Sequence, residues 1–185
     1  MNLSWIPNAI CIVRILLIVP LVAALFAGSY NIALVLIVVA GFSDGLDGFL
    51  ARTFDWRTRL GSLLDPAADK LLVVSAFFSL TALELVPLGL TLIVVLRDIV
   101  IVSGALVYQK LAGNLEGEPI LISKLNTVCQ LSFIVLTIMY AEWAVPDAAW
   151  LTVLGAMVVF TSITSGLTYV LIWSGRARQQ PINAD

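Results

Sequence analysis

Six long apolar runs alternate with short polar breaks along these 185 residues. A helical bilayer crossing needs ~20 apolar residues, and the runs predict helices at about 8–27, 31–52, 60–82, 87–110, 122–141 and 148–173. Periodicity inside them is weak, as in helices that are apolar on most faces. The strict alternation of a membrane β-barrel is absent. The expected fold class is therefore all-α, a six-transmembrane-helix integral membrane bundle. Pro7 and Asn8 mark the first start, and residues 28–31, beginning at Gly28, form a tight turn. Pro87 opens the fourth helix near N1, where a missing N–H is harmless. The stretch 112–119 is the longest polar linker, Asp147 is an expected N-cap, and Gly175 an expected C′ stop. One domain is expected over 1–175, followed by a short cytoplasmic tail over 176–185 that is disordered from Gln179.

Composition sharpens this. The chain is 61% hydrophobic and 12% charged, where a soluble domain is nearer ~25% charged. Net charge is −2 and no basic run occurs, so no nucleic-acid partner is expected. Cys11 and Cys129 both sit in apolar runs and read as small core residues. The start, MNLSWIPNAICIVRILL, has no charged segment before its apolar run and reads as a retained first span. The absence of a transit-like leader points to a bacterial inner membrane. Arg52, Arg57, Arg59, Lys110, Lys124, Arg176 and Arg178 fall in one set of connections, while the other set holds only acidic charges. The excess of cations marks the cytoplasmic side, with both termini there. Trp5, Trp56, Trp143, Trp150 and Trp173 fall near the expected interfaces as aromatic anchors.

Against that background one run stands out: DGLDGFLARTFDWRTRLGSLLDPAADK, between the second and third apolar stretches. It carries Asp44, Asp47, Asp65 and Asp69. A carboxylate at membrane depth costs ~2.5–3.5 kcal/mol on insertion scales, so four together need a counter-charge. With no His in the chain, an oxygen-only donor set points to Mg²⁺, Mn²⁺ or Ca²⁺. Asp44 and Asp47 are three apart and Asp65 and Asp69 four apart, so each pair shares a helix face. If the third helix folds back beside the second, the pairs converge and can hold two ions ~3.5–4 Å apart, as in two-metal phosphoryl-transfer sites. Gly45, Gly48, Ala51 and Gly61 leave backbone bare for a phosphate ligand, and Arg52 can fork onto phosphate oxygens. The site would open to the cytoplasm.

The spacing D-x2-D-G-x2-A-R-x8-G-x3-D-x3-D resembles that of the CDP-alcohol phosphotransferase family. All eight fixed positions match, at Asp44, Asp47, Gly48, Ala51, Arg52, Gly61, Asp65 and Asp69. A chance match is on the order of 10⁻¹⁰ per start position. The resemblance implies that Asp44, Asp47 and Asp65 are metal ligands. It implies that Asp69 is the general base, with a possible second role as ligand. Gly48, Ala51, Arg52 and Gly61 would form the CDP-binding wall. It also implies two Mg²⁺ or Mn²⁺ ions, six spans and a homodimer. The implied reaction transfers a phosphatidyl group from CDP-diacylglycerol to an alcohol, with release of CMP. A lipid donor explains a site at the membrane.

The acceptor is read from other residues. Arg97 and Asp98 lie deep in the fourth run; as helix neighbours they point in different directions and are not a simple facing pair. An intramembrane Arg usually marks a substrate path. Lys124 and Asn126 open the fifth helix. Arg97, Lys124 and Asn126 are the acceptor-binding candidates, with an ion pair from Arg97 to Asp98 or Glu84 as the structural alternative. Two family branches use glycerol-type acceptors, glycerol 3-phosphate in one and phosphatidylglycerol in the other. LRDIVIVSGALVY and PILISKLNTVCQL resemble the second, cardiolipin-forming branch. Arg14 either reaches a phosphate or snorkels to the interface, and Lys70 offsets the carboxylate cluster. The rival reading is a cation transporter that uses intramembrane Asp.

Overall fold

Apolar side chains on every face leave a chain in lipid one way to satisfy its backbone, which is to close each N–H and C=O within a helix. The computed structural model describes the backbone of residues 5–53, 61–112 and 121–179, and the side chains of 9–43, 53, 66–104 and 121–172. Its elements are α1 (Trp5–Phe26), α2 (Tyr30–Thr53), α3 (Gly61–Ala82), α4 (Leu88–Ala112), α5 (Leu121–Trp143) and α6 (Ala148–Gln179). No strand occurs among the described residues. Among those residues, α1, α5 and α6 contain segments long and apolar enough to cross a membrane, and Tyr30–Ser43 of α2 is a shorter apolar helix. Their outer faces stay apolar, with Val19, Phe42, Phe160 and Leu171 among many large exposed side chains. Soluble monomers do not carry apolar surface on that scale. This is an integral membrane protein.

The turns on one side follow one design. Gly28 has φ +69°; its N–H reaches the Leu25 carbonyl at 3.1 Å while Ser29 N–H reaches that of Ala24 at 2.9 Å. This is a Schellman motif, which favours Gly at the left-handed position. α3 ends the same way on Glu84, at φ 59°, with Leu85 N–H on the Leu80 carbonyl at 2.9 Å. α5 ends on Ala144, at φ 55°, through one bond to the Tyr140 carbonyl at 2.9 Å. Asp147 caps α6, accepting the Ala149 N–H at 2.9 Å. α4 begins at Leu88, one residue past Pro87, whose carbonyl accepts the Leu90 N–H at 3.0 Å.

Gly175 does not stop α6. The helix runs on to Gln179, because a helical Gly costs only about 1 kcal/mol against Ala and nothing nearby forces a left-handed turn. Pro66 lies in the second turn of α3. Lacking an N–H, it leaves the Ser62 carbonyl without its intrahelical donor.

α1 packs on α2 and α3, and α6 packs on α4 and α5; the two groups meet through α2–α5, α3–α4 and α3–α5. At the centre Phe77 and Phe133 stack with centroids 6.0 Å apart. Leu72, Leu80, Val94, Ile134, Ile138 and Val158 are buried around them. Gly155 lets α6 close on this pair, since a Cβ there would stand 3.3 Å from both Leu90 and Phe133.

Candidate active site

Below the aromatic pair the interior turns polar. Phe77 of α3 and Phe133 of α5 are level with each other. Seven residues earlier on both helices, about 10 Å lower at 1.5 Å per residue, come Lys70 and Asn126. That depth is crossed by a chain of contacts. Arg14 of α1 meets Asp69 of α3 at 2.5 Å, and Lys70 meets Asp98 of α4 at 2.5 Å. Asp98 also takes Arg97 at 2.7 Å. Arg97 donates in turn to Ser123 of α5 at 2.5 Å and Ser165 of α6 at 2.8 Å. Asn126 closes the layer, its Oδ1 accepting from Thr161 and Ser162 of α6 at 2.8 Å each. Buried charges persist only when paired and hydrogen-bonded, and the cations here meet that condition.

Asp69 is the one residue of the aspartate motif whose side chain is described. It is 39% exposed, whereas its partner Arg14 is 0% exposed. A buried guanidinium therefore grips a carboxylate that still faces an accessible space. Arg14 does not snorkel to the interface; its charge is turned inward onto Asp69. The side chains of Asp44, Asp47, Asp65, Gly48, Ala51, Arg52 and Gly61 lie outside the described residues. Their backbone is helical at every position, on the C-terminal part of α2 and the first turns of α3. The Ser62 carbonyl freed by Pro66 lies within this same stretch.

The acceptor candidates separate. Arg97 and Asn126 are buried in the polar layer, while Lys124 is exposed. Positions two apart on a helix differ by about 200°, so Asn126 facing inward turns Lys124 outward. Arg97 and Asp98 form a direct pair, the structural alternative given from sequence, although as helix neighbours they point in different directions. The long arginine side chain reaches back around the turn to Oδ1. Glu84 lies at the far end of α3, in the turn to α4.

The polar partners Ser123, Ser165 and Asp98, and the buried Gln130, are not among the site residues expected from sequence. A signal for them exists. Ser123, Asn126, Gln130, Phe133 and Thr137 recur at helical spacing along α5, and TSITS breaks the apolar run of α6. Asp98 Oδ2, Asn126 Nδ2 and Gln130 Nε2 are buried and find no hydrogen-bond partner among the described residues.

Comparison with known proteins agrees with the motif. A family model described as CDP-alcohol phosphatidyltransferase matches residues 4–172. The chain is 31% identical to the human "Cardiolipin synthase (CMP-forming)" over 180 residues, covering 89% of this chain and 60% of that protein. It is 34% identical over 152 residues to a rice protein named "CDP-diacylglycerol--glycerol-3-phosphate 3-phosphatidyltransferase 1, chloroplastic", covering 72% of this chain and 46% of that one. A Streptomyces coelicolor "Cardiolipin synthase (CMP-forming)" is 47% identical over 66 residues, 36% of this chain and 31% of its own length. The chain thus spans about 60% of the length of the mammalian relatives.

Proposed function

The chain belongs to the CDP-alcohol phosphatidyltransferase family, and from that premise we propose that it transfers a phosphatidyl group from CDP-diacylglycerol to a glycerol-type alcohol, releasing CMP. The observation that carries this reading is Asp69. It is the last acid of an eight-position motif, accessible to solvent, and held by a buried Arg14 at the depth of a polar interior. In the reaction the acceptor hydroxyl oxygen bonds to the lipid-side phosphorus, and the bond from that phosphorus to the CMP oxygen breaks. CMP leaves with the electron pair, and the hydroxyl proton passes to Asp69. Arg14 orients the carboxylate for that transfer, so positioning supplies much of the effect. Arg52 takes up phosphate charge, and Gly48, Ala51 and Gly61 line the cytidine side.

The donor set suits Mg²⁺ or Mn²⁺. It has four carboxylates and a freed backbone carbonyl nearby, with no imidazole anywhere in the chain. Asp44, Asp47, Asp65 and Asp69 would hold two such ions, which would supply charge neutralisation of the diphosphate. The proposed arrangement has six spans, the site and both termini on the cation-rich cytoplasmic face, and a homodimer as the family resemblance implies. A bacterial inner membrane is the proposed setting.

Phosphatidylglycerol is the favoured acceptor, which would make the product cardiolipin. The mammalian relatives' names support this. Glycerol 3-phosphate is the second reading, supported by the rice relative and by Arg97 as a phosphate partner. Purified protein supplied with CDP-diacylglycerol and each acceptor in turn should form cardiolipin from phosphatidylglycerol. Formation of phosphatidylglycerophosphate alone would reverse the assignment.

A further inference from the structure

Asp98 holds two cations with a single oxygen. Lys70 Nζ at 2.5 Å and Arg97 Nη1 at 2.7 Å both meet Oδ1. Oδ2 has no partner among the described residues, although the side chain is only 7% exposed. A buried carboxylate oxygen with no donor is costly to keep. Its fixed orientation, with the other oxygen clamped by Lys70 and Arg97, makes it a receptor for one hydrogen-bond donor. The Arg97 clamp is itself anchored on α5 and α6 through Ser123 and Ser165, so the oxygen cannot easily turn to find another partner. Lys70 is the chain neighbour of Asp69, which brings the bare oxygen to the depth of the proposed base, on the α4 side of α3.

We infer that Asp98 Oδ2 accepts a hydrogen bond from a second hydroxyl of the acceptor, next to the attacking one, and so selects a vicinal diol. This rests on the transfer reaction proposed above. The attacking hydroxyl gives its proton to Asp69; the neighbouring hydroxyl keeps its own and is only held. A vicinal diol bonded at both ends spans roughly 8 Å, as two bonds of about 2.7 Å with about 2.8 Å between the oxygens. The chemistry belongs to a glycerol headgroup whether it comes as phosphatidylglycerol or as free glycerol 3-phosphate. Lys70 and Arg97 are then positioning residues for Asp98.

The test compares each acceptor with its analogue lacking the middle hydroxyl, using the full chain and CDP-diacylglycerol. One arm pairs phosphatidylglycerol with phosphatidyl-1,3-propanediol, the other glycerol 3-phosphate with 3-hydroxypropyl phosphate. In whichever arm the wild type turns over, loss of that hydroxyl should lower kcat/KM at least about tenfold, since a site built around a hydroxyl rejects the analogue without it. Asp98→Asn keeps the shape and one carbonyl oxygen for Lys70 and Arg97 but replaces the bare acceptor with a donor. It should shrink the discrimination to about threefold or less. Equal turnover of diol and analogue by the wild type overturns the inference, whether or not the variant folds. An unchanged ratio in a folded Asp98→Asn protein also overturns it and leaves Asp98 as an ion-pair partner only. CMP release from neither arm overturns the transfer reaction itself, a result distinct from CMP release without discrimination.

Discussion

Arg14 is the residue whose environment constrains the site most tightly. A guanidinium with no exposure, in a helix as apolar as α1, is costly unless it is paired, and the Asp69 carboxylate meets it at 2.5 Å. If its task is to orient Asp69, Arg14→Met should lower kcat for CMP release by about tenfold or more while changing KM little, and Arg14→Lys should recover part of the loss. A purely structural role would reduce the yield of folded protein and leave kcat per folded molecule intact. The aspartates were legible in the sequence because their message is local: i,i+3 and i,i+4 spacings beside small residues. Their partners were not, because Arg14 and Asp69 are 55 positions apart and Arg97 and Ser165 are 68 apart. Ser123 and Lys124 differ in helical phase. Ser123, one residue earlier, takes the inward position and bonds Arg97, while Lys124 faces out.

At the scale of elements, α1 to α5 follow their apolar runs to within about three residues, because hydropathy and helix length are set by the same requirement for internal hydrogen bonding, while α6 runs on six residues to Gln179. The ends were less legible. Gly28 announces its turn, but Glu84 and Ala144 take left-handed conformations with no Gly to mark them. The pull of the bonds closing α3 and α5 outweighs the backbone cost there. Left-handed geometry costs a residue with a Cβ about 1–2 kcal/mol. Glu84→Gly should therefore stabilise the protein by about 1 kcal/mol, seen as a rise of about 2–4 °C in the detergent-solubilised thermal midpoint. A midpoint that falls would mean the glutamate side chain contributes more than its backbone strain costs.

The whole molecule is an apolar shell around an interior divided by depth. Aromatic and aliphatic packing centred on Phe77 and Phe133 fills one zone, and a linked set of ions, hydroxyls and amides fills the next. In the proposed reaction that division would let lipid chains rest against the apolar outer faces while the charged chemistry proceeds at the polar layer. The aspartate motif made the family legible from sequence, while the polar layer emerged only from how five helices meet. The most direct measurement is CMP release from CDP-diacylglycerol by purified wild type and Asp69→Asn, with phosphatidylglycerol or glycerol 3-phosphate present and with Mg²⁺ or Mn²⁺ supplied or chelated. The account predicts acceptor-dependent CMP release by the wild type, lost on chelation and reduced by about 10²-fold or more in Asp69→Asn. CMP release that persists undiminished in a folded Asp69→Asn protein, or none from the wild type with either acceptor, would contradict it.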